Sequence, residues 1–307
     1  MKRIILLNVI IICFVKFTIA QCYSDFYPLW YSDINFPCLG GDYILVLEDN
    51  FNGNSLDLSK WDRSFPWGRN TKSDDACYYL NENVVVENGT LKLIAKKEPG
   101  YYEVWHWDAQ GNFYTTQEYF EYTSGMIRSF QQFKYGKFEI RCRMPEGEGL
   151  WPAFWLFGCN PDQKRWNEID IFDQKFNDKC LDINDLSAGF MYDYNNNKRI
   201  DRVKDGDEYN EDHKMSKNNV CDFSDWHTFT LYFDPYDIII EVDNGDTYYK
   251  RAHRAFTQSD AEIDPCNTDL AAAYYCFRKA FPVEPMNIIA SIGFQKDYFL
   301  PSSAFLK

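Results

Sequence analysis

Basic residues are in short supply. Over 307 residues, 32 Lys and Arg face 46 Asp and Glu, a formal net charge of −14. Such a surface repels phosphate backbones, which argues against nucleic acid as a partner and favours neutral ligands. The 10 Cys and 4 His include no CxxC pair and no Cys/His cluster, so the spacing that holds zinc is missing. Beyond residue 20 no apolar stretch approaches the ~20 residues of a membrane span. Helical patterning is scarce as well, and 269–280 is its best instance. Aromatic residues, by contrast, are abundant. The 25 Phe, 22 Tyr and 9 Trp exceed what a core ordinarily takes, and ring faces outside a core stack on flat ligands such as sugars or bases. With 45% hydrophobic residues the chain is not disordered, and at this length it buries about 75% of its unfolded surface without needing a disulfide or metal to fold.

Lys2 and Arg3 precede an apolar run over 4–17, broken by Asn8 and Lys16, and Thr18-Ile19-Ala20 supplies small residues before a cleavage point. That order predicts an export signal over 1–20, cut after Ala20, and a secreted or periplasmic protein with no membrane attachment. Gln21 stands where a small residue would precede a lipidated Cys22, so lipidation is not expected. Loss of Cys13 with the signal leaves nine of the 10 cysteines, an odd number that keeps at least one thiol free or paired between chains. Cys22 with Cys38, and Cys266 with Cys276, span short loops, and the connectivity stays open.

Short runs rich in Val, Ile, Tyr and Phe recur at 43–47, 84–86, 91–95, 119–130, 137–143, 151–157, 168–172, 226–233 and 238–242. With turn residues between them, they predict an all-β sandwich. Hairpin turns are expected at Asn88-Gly89, at 109–112 and at Asn244-Gly245, where Asn and Gly tolerate positive φ. Segments 192–219, crowded with Asn, Asp and Lys, and 260–285 read as loops. Neither a repeat nor a linker divides the chain, so 21–42 is an N-terminal extension and 43–307 one domain, expected to be monomeric.

The chemistry concentrates in WNEIDIFDQKF, residues 166–176. Side chains alternate along a strand, so Ile169 and Ile171 point one way while Glu168, Asp170 and Phe172 point the other. Asp173 then falls on the wrong face. A β-bulge near Phe172 restores it and gathers Glu168, Asp170 and Asp173 on one surface. Mutual repulsion among three carboxyls raises at least one pKa, which keeps an acid protonated beside an ionised nucleophile, the equipment of glycoside hydrolysis. With 46 acids in 307 residues, such a spacing arises by chance about once in a chain of this length, so the triplet alone proves nothing. Its context raises it: the acids alternate with strand formers, and GLWPAFW at 149–155 offers Trp faces for sugar rings.

Five blocks carry a resemblance to glycoside hydrolase family 16: LEDNFNGNSLDLSKW (47–61), NVVVENGTLKLIAKK (83–97), TSGMIRSFQQFKYGKFEIRCRMPEGEGLWPAFWLFG (123–158), WNEIDIF (166–172) and DWHTFTLYFDPYDIIIEVDN (225–244). The resemblance implies a jelly-roll sandwich with a concave cleft and endo-acting, retaining cleavage of β-glucans or galactans. It implies Glu168 as nucleophile, Asp170 as the residue that hydrogen-bonds and modulates it, and position 173 as acid/base. Trp151, Trp155 and Trp166 resemble cleft aromatics, with core packing an equal reading for Trp155, and His227 matches a His on the adjoining cleft strand. The bulged spacing suits the laminarinase-like and galactanase-like branches.

Two departures stand out. The family's acid/base is Glu, and Asp173 is one methylene shorter; retaining carboxyls stand about 5–5.5 Å apart, so the shorter side chain lengthens the proton's path. The family's closing strand, similar to D-Y-V-R-V-Y, does not follow residues 288–294. The resemblance also implies a structural calcium that draws on that strand; Glu48 is the one contributor offered, no ligand set is assigned, and no other cofactor is expected. The expectation is a secreted endo-hydrolase of β-1,3-glucan, with an algal galactan next as substrate, and a catalytically weakened polysaccharide-binding relative as the alternative.

Overall fold

The computed structural model describes residues 5–10, 16–17, 43–70, 75–108, 110–145, 149–160, 165–174, 188–194, 199–203, 224–233, 237–243, 246–252, 282 and 284–296. Its strands, in chain order, are β1 (Ile5–Ile10), β2 (Lys16–Phe17), β3 (Ile44–Leu45), β4 (Trp61–Asp62), β5 (Cys77–Tyr79), β6 (Val84–Glu87), β7 (Thr90–Trp107), β8 (Phe113–Ser124), β9 (Met126–Phe133), β10 (Gly136–Cys142), β11 (Leu150–Asn160), β12 (Arg165–Asp173), β13 (Ala188–Tyr194), β14 (Arg199–Val203), β15 (His227–Phe233), β16 (Asp237–Val242), β17 (Asp246–Ala252) and β18 (Met286–Phe294). An 11-stranded sheet runs β17-β16-β15-β10-β1-β7-β8-β5, with β2, β3 and β6 off this path, and a 7-stranded sheet runs β14-β13-β12-β11-β18-β9-β4. The expected all-β sandwich is present.

Alternation builds the core. Phe154, Leu156, Ile169, Ile171 and Ile292 of the smaller sheet, and Leu91, Leu93, Phe138, Phe229 and Leu231 of the larger, have no exposed surface. Across the two sheets the Phe172 and Phe229 rings stand 4.7 Å apart. Each such side chain contributes about 1.5–3 kcal/mol through burial. Every residue of β18 is buried, which fits its apolar sequence and places it as a strand covered on both faces.

Local chemistry sets the connections. Asn88 at φ 53° and Gly89 at φ 71° close the β6–β7 hairpin as expected. At the tip of the β7–β8 hairpin Asp108 Oδ1 accepts the N–H groups of Gln110 and Asn112 at 2.9 and 2.8 Å, and Gly111 takes φ 84°. The run 119–130, which reads as one strand, is two. Gly125 separates β8 from β9 and carries the chain from one sheet to the other, and a Cβ there would come within 2.3 Å of the Asn83 carbonyl oxygen.

Two further expectations are corrected. The strand expected over 91–95 continues to Trp107, because its alternation persists through 98–107. Part of the loop expected over 192–219 is strand: β13 pairs with both β12 and β14. The backbone ladder there outweighs a side-chain composition that favours turns. Residues 5–10, which the export reading removes, pair with Leu91–Ala95 of β7 on one side and with Arg141 and Cys142 of β10 on the other. Among the described cysteines, Cys77 and Cys142 are free and buried. The Asn244-Gly245 turn, the helix at 269–280 and the pairs Cys22/Cys38 and Cys266/Cys276 lie outside the described residues.

Candidate active site

The register of β11 against β12 decides which side chains meet. Phe157 lies opposite Glu168, Trp155 opposite Asp170, Phe154 opposite Phe172 and Ala153 opposite Asp173, with a register shift between Phe154 and Trp155. Ile171 is therefore the extra residue, and the bulge falls next to Phe172. Directly opposed residues share a face, and residues 153, 155 and 157 alternate onto one side, so Glu168, Asp170 and Asp173 project together. Ile169, Ile171 and Phe172 turn instead into the core, at 0, 0 and 3% exposure. Without the bulge Asp173 would take Phe172's place facing the apolar interior, where an unpaired carboxylate costs several kcal/mol.

Asp170 is 2% exposed and Asp173 8%, while Glu168 is half-buried. The indole N–H of Trp151 is donated to Asp173 Oδ1. The backbone N–H of Gln174 donates to the Pro152 carbonyl at 3.0 Å and ties down the chain just past Asp173. Trp151, Trp155 and Trp166 are all half-buried on the carboxylate side. Trp166 stacks on Phe157 with ring centres 6.3 Å apart, and Trp155 aims its N–H at Ser291 Oγ, 3.4 Å away. Trp155 combines the two readings of its role: partly packed on the core, with its ring on the carboxylate face.

His227, which the resemblance matches to a His on the adjoining cleft strand, is the remaining candidate. Its strand, β15, lies in the larger sheet between β10 and β16, and the buried imidazole holds Asp243 Oδ2 at 2.7 Å through Nδ1. Motif similarity places a residue on a strand but not in a sheet. Glu48, the contributor offered for calcium, takes the Asn50 amide on Oε1 at 3.2 Å. No three His, Cys, Asp or Glu among the described residues are grouped to hold a metal.

Two neighbours of the site were not visible in the sequence. Trp67 stacks on Phe65 at 5.2 Å, meets Phe157 edge-on at 4.9 Å and stands 6.4 Å from Trp155, so it extends the ring cluster from a distant loop. Its only signal was its place in a Pro-Trp-Gly turn. Asp75 is the second. Gly293 lies opposite Trp151, and a Cβ on it would come 3.1 Å from Asp75 Oδ2. Asp75 is buried and accepts the Tyr79 hydroxyl at 2.6 Å and the N–H groups of Cys77 and Phe294 at 3.1 Å each. Burial pushes its carboxyl above the usual carboxylate range, against the pull of these hydrogen bonds.

A face with three carboxyls at bulged spacing, one of them oriented by an indole, beside a row of aromatic rings suits acid-assisted displacement at a sugar carbon. A family model, Glycosyl hydrolases family 16, matches residues 71–295. A glucan endo-1,3-beta-glucosidase of Cryptopygus antarcticus is 33% identical over 139 residues, 43% of this chain and 46% of that protein. Glucan endo-1,3-beta-glucosidase A1 of Niallia circulans is 29% identical over 147 residues, 43% of this chain and 20% of that protein. The chain thus spans less than half the length of these two relatives. Among solved structures, the catalytic domain of an endo-1,3-beta-glucanase (laminarinase) from Thermotoga petrophila RKU-1 has a TM-score of 0.53 at 22% identity, over 83% of this chain and 88% of that one. That likeness is one of fold.

Proposed function

The chain belongs to glycosyl hydrolases family 16, and from that premise we propose that it is a secreted, endo-acting, retaining hydrolase of β-1,3-glucan. The observation that carries the reading is the register shift at Ile171, which sets Asp173 on the face of Glu168 and Asp170. In this account the Glu168 carboxylate attacks the anomeric carbon as Asp173 gives its proton to the departing glycosidic oxygen. The glycosyl–Glu168 ester is then opened by water, whose proton returns to Asp173. Asp170, two residues from Glu168 on the same face, orients the nucleophile. Trp151 fixes Asp173, and the rings of Trp155 and Trp166 take the faces of the bound sugars.

A second reading, a polysaccharide-binding relative that turns over slowly, is supported by one feature. Asp173 is a methylene shorter than the Glu the mechanism favours, and its Oδ1 is engaged by Trp151. Reducing-end release from laminarin, agarose, carrageenan and xyloglucan, measured beside binding to the same panel, separates the two. Hydrolysis of laminarin above the others supports the enzyme, and binding without release from any of them supports the binding relative.

A further inference from the structure

Strands β7 and β8 run on together as a long two-stranded ribbon. Its ladder pairs Tyr101 with Tyr119, Trp105 with Thr115 and Trp107 with Phe113. Because side chains alternate, these aromatic residues share one face, and that face is open. Tyr101 is 72% exposed, Phe113 55%, Tyr119 54%, Trp107 47% and Trp105 38%. The rings touch in pairs: Tyr101 with Tyr119 at 5.5 Å, Trp105 with Phe113 at 5.7 Å and Trp107 with Phe113 at 5.5 Å. The other face holds the ribbon in place. Val104 is buried, Tyr102 stacks on Tyr78 at 4.7 Å, and the Tyr78 hydroxyl donates to the Glu103 carbonyl at 2.8 Å. The packed face thus carries one exposed large ring, Tyr114, stacked on His106 at 5.0 Å, whereas five exposed large rings crowd the other. A contiguous exposed aromatic patch of this kind marks a binding surface.

The patch connects with the carboxylate face. A Cβ on Gly68 would meet Trp105 Cδ2 at 3.3 Å, so the Trp105 ring lies against the backbone next to Trp67. Trp67 in turn touches Phe157 and neighbours Trp155, which stand opposite Glu168 and Asp170. Trp67 and the neighbouring Gly68 backbone thus bridge the rings beside the carboxylates to Trp105 of the ribbon. From Tyr101 to Trp107 the strand covers about 20 Å at ~3.4 Å per residue, room for several sugar rings. Charge selects among ligands. Lys96 and Lys97 are held by Glu98 and Glu121 and Glu103 is exposed on the aromatic face, so a sulfated or phosphorylated polymer is disfavoured and a neutral one fits.

We propose that the aromatic face of the β7–β8 ribbon is a second polysaccharide-binding surface, continuous with the carboxylate face, that holds an extended neutral β-glucan. The choice of glucan rests on the function proposed above. The test compares the full chain with a Tyr101→Ala/Trp107→Ala variant, both sites being exposed, by melting temperature, sedimentation, laminarin binding and kinetics on laminarin and a laminari-oligosaccharide too short to reach the ribbon. Binding is measured in a Glu168→Gln background so that the polymer stays intact. The expected result is at least a tenfold loss of laminarin affinity and a raised KM on laminarin. Melting temperature, kcat and turnover of the short substrate stay unchanged. Laminarin affinity that ignores the substitutions overturns the proposal, as does a chain that binds no neutral glucan, a ribbon-dependent affinity for carrageenan alone, or a variant whose only change is lost self-association. If laminarin is bound through the ribbon but never cleaved, the surface stands and the hydrolytic reading falls; cleavage with ribbon-independent binding gives the reverse.

Discussion

The indole of Trp151 donates its N–H to the carboxylate of Asp173, and the pairing exists because a bulge intervenes. Trp151 lies two residues from Ala153, the register partner of Asp173, so the contact runs diagonally across β11 and β12 on one face. Removing the extra residue's displacement would carry one partner away from the other.

Trp151→Phe keeps a ring and deletes the donor. The orientation of Asp173 is then lost while the surface for sugar remains, so kcat on laminarin should fall about tenfold with KM within twofold, as expected for an interaction that acts on the chemical step. Steady-state kinetics check this, and a rise in KM at constant kcat would assign Trp151 to binding alone.

Asp173→Glu addresses the short acid. Strands of a packed sandwich shift little to accommodate one methylene, so the longer side chain should close the gap to the glycosidic oxygen and raise kcat severalfold. A fall in kcat would mean that the backbone already compensates.

Asp75→Asn tests the buried carboxyl beside the site. Its folded-state pKa lies above the unfolded value, so its stabilising contribution is complete below about pH 4 and is lost as pH rises through the folded value. Asparagine keeps an acceptor for Cys77 and Phe294 and a partner for Tyr79 without the ionisation. The melting temperature of the variant relative to the parent should therefore increase from pH 4 to pH 8, and a pH-independent difference would contradict the assignment.

The proposed export, with cleavage after Ala20, should give a mature chain whose N-terminus is Gln21, checked by mass. That chain lacks the strand paired with Leu91–Ala95. Its amides there should exchange faster, and its melting temperature should be several degrees lower, than in the uncleaved chain. Equal protection in both forms would show that the strand contributes nothing.

Period-2 alternation with an acid one step out of phase was enough to read β12 and its bulge, because Ile169 and Ile171 fix the core face and leave Asp173 one way to join Glu168. The Asn88-Gly89 turn was equally legible, since its residues state the required φ. The division at Gly125 was not: strand formers flank it on both sides, and the reason for glycine is the carbonyl of Asn83. Asp75 and Trp67 escaped for the same physical reason. Beside local partners, each meets the site through one remote in sequence, Phe294 for Asp75 and Phe157 for Trp67, and no local pattern encodes those. The sheet that holds His227 was not legible either, because similarity of a strand's sequence does not specify which neighbours it pairs with.

The central claim, that Glu168 and Asp173 carry out retaining hydrolysis of a β-1,3-glucan, is tested most directly by proton NMR of the first-formed products from laminarin, with the parent chain beside Glu168→Gln. The account predicts that the parent releases the β-anomer before mutarotation and that the variant binds laminarin with unchanged affinity but releases no product. Initial release of the α-anomer, or undiminished turnover by Glu168→Gln, would contradict it.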